Sequence, residues 1–316
     1  MGKVCLGVFL VLGISVCSAA EPACGPTRVV FDAPPRHSYD FSRALEQAQH
    51  GDIHAEFQVA LAYETGKGTE ENYTEAVRWY QQAAGAGDSA AQNNLGGMYL
   101  RGLGVAQSDT DALKWYLRAA AEGYSPAQNN VGFMYAAGRG ARKDDTEAVA
   151  WYRKAAARNY APAESNLGFM YLQGRGVPAD NKEAAKLFRK AAKTGYAAAE
   201  YNLGLMYYNG TGVLRDYGEA MRLFRAAAQH GSAEAQNQIG AAYQSGTGVP
   251  VDYAKASQWY EAAAKHGLTQ ARDNLTRIAP IVARTTRTVV SPLSASTRGD
   301  SPAQTYQGSE PSESGR

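Results

Sequence analysis

Ala91-Gln92-Asn93-Asn94-Leu95-Gly96-Gly97-Met98-Tyr99, closed by Gly102 and Gly104, is the stretch that decides the fold. Trp115-Tyr116, Ala119-Ala120 and Gly123 follow it. Thirty-six residues on, the skeleton returns as Ala127, Val131-Gly132, Tyr135, Gly138, Gly140, Trp151-Tyr152 and Ala155-Ala156. Tyr63, Tyr99, Tyr135, Tyr171, Tyr207 and Tyr243 stand on that period without insertion or deletion. Self-similarity of this length marks an array in which each unit buries its apolar face against its neighbours.

Inside the stretch, Gln92, Leu95, Gly96 and Tyr99 have the i, i+3, i+4, i+7 spacing of one helix face. The spacing predicts a first helix, A, from about Ala90 to Leu100, ended by Gly102 in left-handed cap geometry. A second helix, B, opens on a recurring signal: Asn72 with Glu75, Ser108 with Asp111, Asp144 with Glu147, Asp180 with Glu183, Asp216 with Glu219. This reads as a capping box, in which the N-cap side chain and the carboxylate three residues on each take the other's backbone N–H. Asp252 has Lys255 at that place, so the last unit is expected to lack the reciprocal half. Trp79-Tyr80 and its equivalents, including Leu187-Phe188 and Leu223-Phe224, supply the bulk of helix B, and Ala83-Ala84 allows close helix approach. Gly or, once, Asn159 closes it.

Six such units occupy 52–87, 88–123, 124–159, 160–195, 196–231 and 232–267. Residues 21–37, with four prolines, read as an extended linker, and 38–51 as a half-repeat that caps the stack. Thr269 to Ile278 repeats only helix A, so 268–282 is expected to cap the other end. Beyond Pro280 the chain turns to Ser, Thr, Pro and Gly, and 283–316 is expected to be disordered.

Lys3 followed by the apolar run Val4–Val16, too short for an ordinary membrane span, and by Ser18-Ala19-Ala20 reads as a signal peptide cleaved after Ala20. The expected location is periplasmic or secreted, with membrane contact only through the cleaved signal. Cys5 and Cys17 leave with that segment, and Cys24 remains as a thiol that could pair two chains into a dimer. Net charge is only +2, with Lys and Arg scattered among Asp and Glu along the sequence, which argues against a nucleic-acid partner.

These residues resemble the Sel-one-like repeat (SLR) family, relatives of the tetratricopeptide repeat. The carriers are A-x-x-x-L-G-x-x-Y-x-x-G-x-G-V followed by A-x-x-W-Y-x-x-A-A-x-x-G, found over about 52–279. Thr69 and Ala141 depart from the loop Val, and Leu-Phe twice replaces Trp-Tyr. The resemblance implies an all-α fold, a right-handed α-solenoid of six 36-residue helix-turn-helix repeats with helical caps. It also implies a scaffold that binds other proteins.

No reaction centre is evident. His37, His50, His54, His230 and His266 form no metal spacing, and neither G-x-S-x-G nor S-x-x-K occurs. Cysteine-rich relatives are described as β-lactamase-like or cell-wall-directed, but they carry Cys pairs in each repeat and this chain has none there. The expectation is no enzyme, no cofactor and no metal. Arg298-Gly299-Asp300-Ser301 spells a cell-attachment tripeptide, the one feature that would suit host-cell contact through the tail.

The positive candidate is a surface. Asn94, Asn130, Asn166 and Asn202 recur before the Leu/Val-Gly pair, and Gln238 and Asn274 continue the row. In related tetratricopeptide arrays this face of helix A lines the concave groove. An amide offers one donor and one acceptor and so matches one peptide unit. Phe133, Phe169, Tyr201 and Tyr208 add aromatic area beside the row, and Asn93 and Gly97 are expected to face outward with Asn94. The expected partner is another protein or an extended peptide segment.

Overall fold

The computed structural model describes residues 40–290, with side chains described through residue 284. These residues form helices with no strand among them. A short α1 (Phe41–Gln49) precedes six A–B pairs. They are α2 (Ile53–Thr65) with α3 (Tyr73–Gly85), α4 (Ser89–Arg101) with α5 (Asp109–Ala121), and α6 (Ser125–Ala137) with α7 (Asp145–Ala156). Next come α8 (Ala161–Gln173) with α9 (Asn181–Ala192), α10 (Ala197–Asn209) with α11 (Tyr217–Gln229), and α12 (Ala233–Ser245) with α13 (Tyr253–Lys265). α14 (Thr269–Val290) ends the array. Each A helix packs on its own B helix and on the B helix before it, which makes the array an α-solenoid.

The Leu-Gly pair of helix A has a steric cause. A Cβ on Gly96, Gly132, Gly204 or Gly240 would lie 2.6–2.8 Å from the ring of Tyr116, Tyr152, Phe224 or Tyr260. Those rings are second members of the Trp-Tyr and Leu-Phe pairs, and of the six such rings in the array five, Tyr80, Tyr116, Phe188, Phe224 and Tyr260, are wholly buried. Bare backbone on helix A therefore receives the large ring of helix B, and Ala-Ala on helix B keeps the axes close. The second loop glycine joins repeats instead. A Cβ on Gly104 would run into the Tyr73 carbonyl at the start of the preceding B helix, and Gly140, Gly176 and Gly212 repeat that approach.

All six B-helix N-caps form: the side chains of Asn72, Ser108, Asp144, Asp180, Asp216 and Asp252 accept from the N–H three residues on. The reciprocal half of the expected box does not form. The N-cap N–H of Asn72, Ser108, Asp144, Asp180, Asp216 and Asp252 donates to the carbonyl of Tyr63, Tyr99, Tyr135, Tyr171, Tyr207 and Tyr243, at 2.9–3.0 Å. That carbonyl belongs to the last turn of helix A, where no intrahelical donor remains. The Gly-x-Gly loop brings the two orphaned groups together, and the acidic residues are released to pair with cations one turn on, as Glu75 does with Arg78 and Glu219 with Arg222. Lys255 therefore breaks nothing.

Helix A is capped unevenly. Asp52, Asp88 and Ser232 accept from the N–H three residues on, whereas Tyr124, Tyr160 and Tyr196 make no side-chain cap. In these central repeats an aromatic ring packed against the core takes the place of the cap. Asn159 adopts φ 59°, the left-handed geometry expected of the glycine it replaces.

The C-terminal helix corrects the sequence reading. It continues through Pro280 to Val290, past residue 282 where the cap was expected to end and the disordered tail to begin. Leu275, Ile278 and Val282 pack together beside Tyr260, so an apolar row on both sides of the proline holds the helix together. Proline removes one N–H and crowds one carbonyl, a loss that an exposed site tolerates. The segments 1–39 and 291–316, which hold the expected signal sequence, linker and tail, Cys24 and the Arg298–Ser301 motif, lie outside the described residues.

Candidate interaction face

Helix A is enclosed by its own B helix, the preceding B helix and the neighbouring A helices. Most of its circumference is therefore buried, polar residues included. Asn93 is 2% exposed and Gly97 is buried, so the expectation that they face outward is corrected.

The amide row divides into two kinds. The Asn130 side-chain N–H donates to Asn93 Oδ1 at 2.9 Å, Asn166 to Asn129 at 2.9 Å, and Asn274 to Asn237 at 2.8 Å. These bonds clamp one repeat to the next. Asn130 and Asn274 are themselves buried, so they cannot meet a partner as expected. Asn94 is half-buried and donates to the Tyr80 hydroxyl at 3.1 Å, while its oxygen accepts from Asn93. The Tyr80 hydroxyl in turn donates to Glu64 at 2.7 Å, and Glu64 pairs with Arg101 at 3.0 Å. Burial, and next the Glu64 charge, push the Tyr80 phenol well above its ordinary pKa.

Asn202 and Gln238 differ. Ser165 stands where Asn129 would receive Asn202, and Tyr201 stands where Gln238 would find an amide. Both amides are half-buried and neither makes a hydrogen bond among the described residues. Phe169 of the fourth repeat and Leu205 and Tyr208 of the fifth lie half-buried, and Tyr208 rests edge-on against Tyr217 at 5.2 Å. Phe133 is likewise half-buried, on the preceding repeat's core. Tyr201, expected beside it, is 8% exposed and packs on Phe224, and burial raises its phenol pKa.

A second polar row was missed in the sequence. Gln92 and Gln128 donate from their amides to the carbonyls of Ala84 and Ala120, at the end of the preceding B helix. The equivalent Glu164 and Glu200 lack the amide N–H, and each is met instead by a nitrogen-bearing side chain. Lys190 pairs with buried Glu164 at 2.6 Å and bonds the Ala156 carbonyl, while His230 meets Glu200 at 2.8 Å. His266 repeats this against Gln236 at 3.0 Å. The signal was present: the residue after each skeleton alanine is polar in every unit. No cluster of His, Cys, Asp and Glu suited to a metal occurs among the described residues. No helix among them is long and apolar enough to cross a membrane.

The Sel1 repeat family matches six times, at residues 53–88, 89–124, 125–160, 161–196, 197–232 and 233–268, one residue out of step with the division made from the sequence. Among solved structures, a protective antigen present in uropathogenic Escherichia coli strains, displaying an SLR fold, is 31% identical with a TM-score of 0.65. The match covers 76% of this chain and 51% of that one, so this chain spans about half the antigen's length. A Sel1 repeat protein from Oxalobacter formigenes is 28% identical with a TM-score of 0.65, over 71% of this chain and 96% of that one. An immunity protein from Pseudomonas aeruginosa, at 20% identity, TM-score 0.51 and coverage of 68% and 81%, shares the fold. No curated protein matches. Six tandem matches over the whole repeat region, on the skeleton that the packing explains, show that the chain belongs to the Sel1 repeat family, a family of scaffolds for protein–protein interaction.

Proposed function

We propose that this chain is an exported scaffold that holds an extended segment of a partner protein on the helix-A face of its fourth to sixth repeats. The observation that carries the reading is the pair Asn202 and Gln238. They are half-buried amides 36 residues apart without hydrogen bonds among the described residues, in a row whose other members are spent on internal bonds. An unsatisfied, partly desolvated amide gains more from a ligand's peptide group than one already bonded. Phe169, Leu205 and Tyr208 supply the apolar area on which anchor side chains would rest. Export rests on the Lys3, Val4–Val16 and Ser18-Ala19-Ala20 pattern.

The test begins with the protein captured by the 21–316 chain from the compartment in which it resides, identified by mass spectrometry. Asn202→Ala with Gln238→Ala should release that protein while the helical circular-dichroism signal stays. Capture unchanged by the double variant would remove this face as the site. Sequencing the mature protein's first residues should read from Glu21, and a chain beginning at Met1 would overturn the export reading.

A further inference from the structure

Over the whole chain basic and acidic residues are nearly balanced, but within the central repeats they sort by position. The segments 148–159, 184–195 and 220–231, the later part of each B helix and its cap in repeats three to five, hold nine Lys and Arg and no Asp or Glu. The same segments of the first and last repeats, 76–87 and 256–267, hold one each, Arg78 and Lys265, the latter with Glu261. All nine are exposed. They form columns on the repeat period: Arg153, Arg189 and Arg225 in one, Lys154 and Lys190 beside it. Direct bonds place the ends of successive B helices side by side, since Lys190 donates to the Ala156 carbonyl and Arg158 to the Gly123 carbonyl at 2.7 Å. Cations suit the last turns of one helix because the carbonyl end is negative. Stacking equivalent helices in parallel turns that local preference into a continuous basic face.

Carboxylates beside this face are engaged in the fourth and fifth repeats, while Glu147 of the third has no cation partner among the described residues. Glu183 is paired with Lys186, Glu219 with Arg222 and Glu164 with Lys190. Arg153, Lys154, Arg158, Arg189, Lys193 and Arg225 make no ion pair with a carboxylate among the described residues. Arg153 and Arg189 instead donate to the hydroxyls of Tyr171 and Tyr207, and Lys154 lies 3.6 Å from the centre of the Trp151 ring. These contacts hold the side chains in place and leave them without a directly bonded carboxylate.

From this we infer that the B-helix face of repeats three to five docks an acidic protein segment, one carrying a run of Asp and Glu. The chain shows the chemistry on itself: Arg222 takes Glu219 with both arms of its guanidinium, at 2.8 and 2.6 Å, and Arg139 takes Asp109 the same way. An anionic bilayer is the poorer fit, because the exposed large apolar residues among the described residues, Ile53, Leu214, Val251 and Ile281, all lie outside these segments and none is available there to enter lipid. This face is distinct from the helix-A face and does not depend on it.

The test uses the full mature chain and a fluorescent deca-glutamate peptide, with binding read by anisotropy at low and high salt. The expected result is binding that weakens about tenfold or more with added salt and with Arg153→Glu, Arg189→Glu and Arg225→Glu together. Asn202→Ala with Gln238→Ala should bind the peptide as the native chain does, which separates this face from the proposed groove. A helical melt of the triple variant close to the native one establishes that only charge has changed. Equal peptide binding by the triple variant overturns the inference. So does tighter binding to phosphatidylglycerol vesicles or to single-stranded DNA than to the peptide, since either assigns the face to another polyanion.

Discussion

Gly204 faces the Phe224 ring so closely that a methyl group would lie 2.6 Å from it, whereas Gly85, also helical, has nothing within 4 Å of the same position. Replacing each by Ala thus separates two effects. Gly204→Ala should cost about 1–3 kcal/mol by overpacking, seen as a lower denaturation midpoint. Gly85→Ala should be neutral or stabilise by up to about 1 kcal/mol, through the smaller entropy lost on folding. The asparagine row gives a second contrast. Asn130→Ala strands the buried Asn93 oxygen and should destabilise by about 1–3 kcal/mol, while Asn202→Ala, which strands nothing, should leave the midpoint nearly unchanged. Equal losses at the two positions would mean that Asn202 has a structural partner.

A B helix starts where two orphaned backbone groups meet. The Asp180 side chain accepts the N–H groups of Lys182 and Glu183, and the Asp180 N–H goes to the Tyr171 carbonyl. Asp180→Ala should therefore cost about 1 kcal/mol, the usual worth of an N-cap. Glu183→Ala should cost only a few tenths, because the glutamate contributes an exposed pair to Lys186 and no cap. Urea titrations of the two variants would distinguish this arrangement from a reciprocal capping box, in which both substitutions would cost alike.

In the whole molecule, buried tyrosines join the repeats and make the stack sensitive to alkali. Burial pushes the phenols of Tyr124 and Tyr260 up to about 12 from an ordinary value of 10.0. The folded state thus holds their protons more tightly than the unfolded chain does. Their contribution is complete below pH 10 and is lost as pH rises toward 12. Thermal melts across that window should show a falling midpoint, and Tyr124→Phe should soften the fall, since the Tyr124 hydroxyl is buried without a hydrogen-bond partner among the described residues. An alkaline profile that Tyr124→Phe leaves unaltered would place the sensitivity elsewhere.

The period of 36, the helix pairs and the N-cap side chains were legible in order along the chain, because each rests on contacts within one repeat or with its neighbour. The same locality made the family plain from Leu95-Gly96, Tyr99 and Trp115-Tyr116. Three things were decided only by the tertiary structure. The N-cap N–H groups found tyrosine carbonyls across a loop, a partner that no three-residue spacing can reveal. The amides at Asn130 and Asn274 were drawn inside by partners 37 residues away, while Asn202 and Gln238 were left without them by Ser165 and Tyr201. And three acid-free basic segments, each a repeat apart in the sequence, were gathered side by side, because stacking adds together what each helix places at its own carbonyl end. A sequence states which groups need partners; packing settles which of them find one.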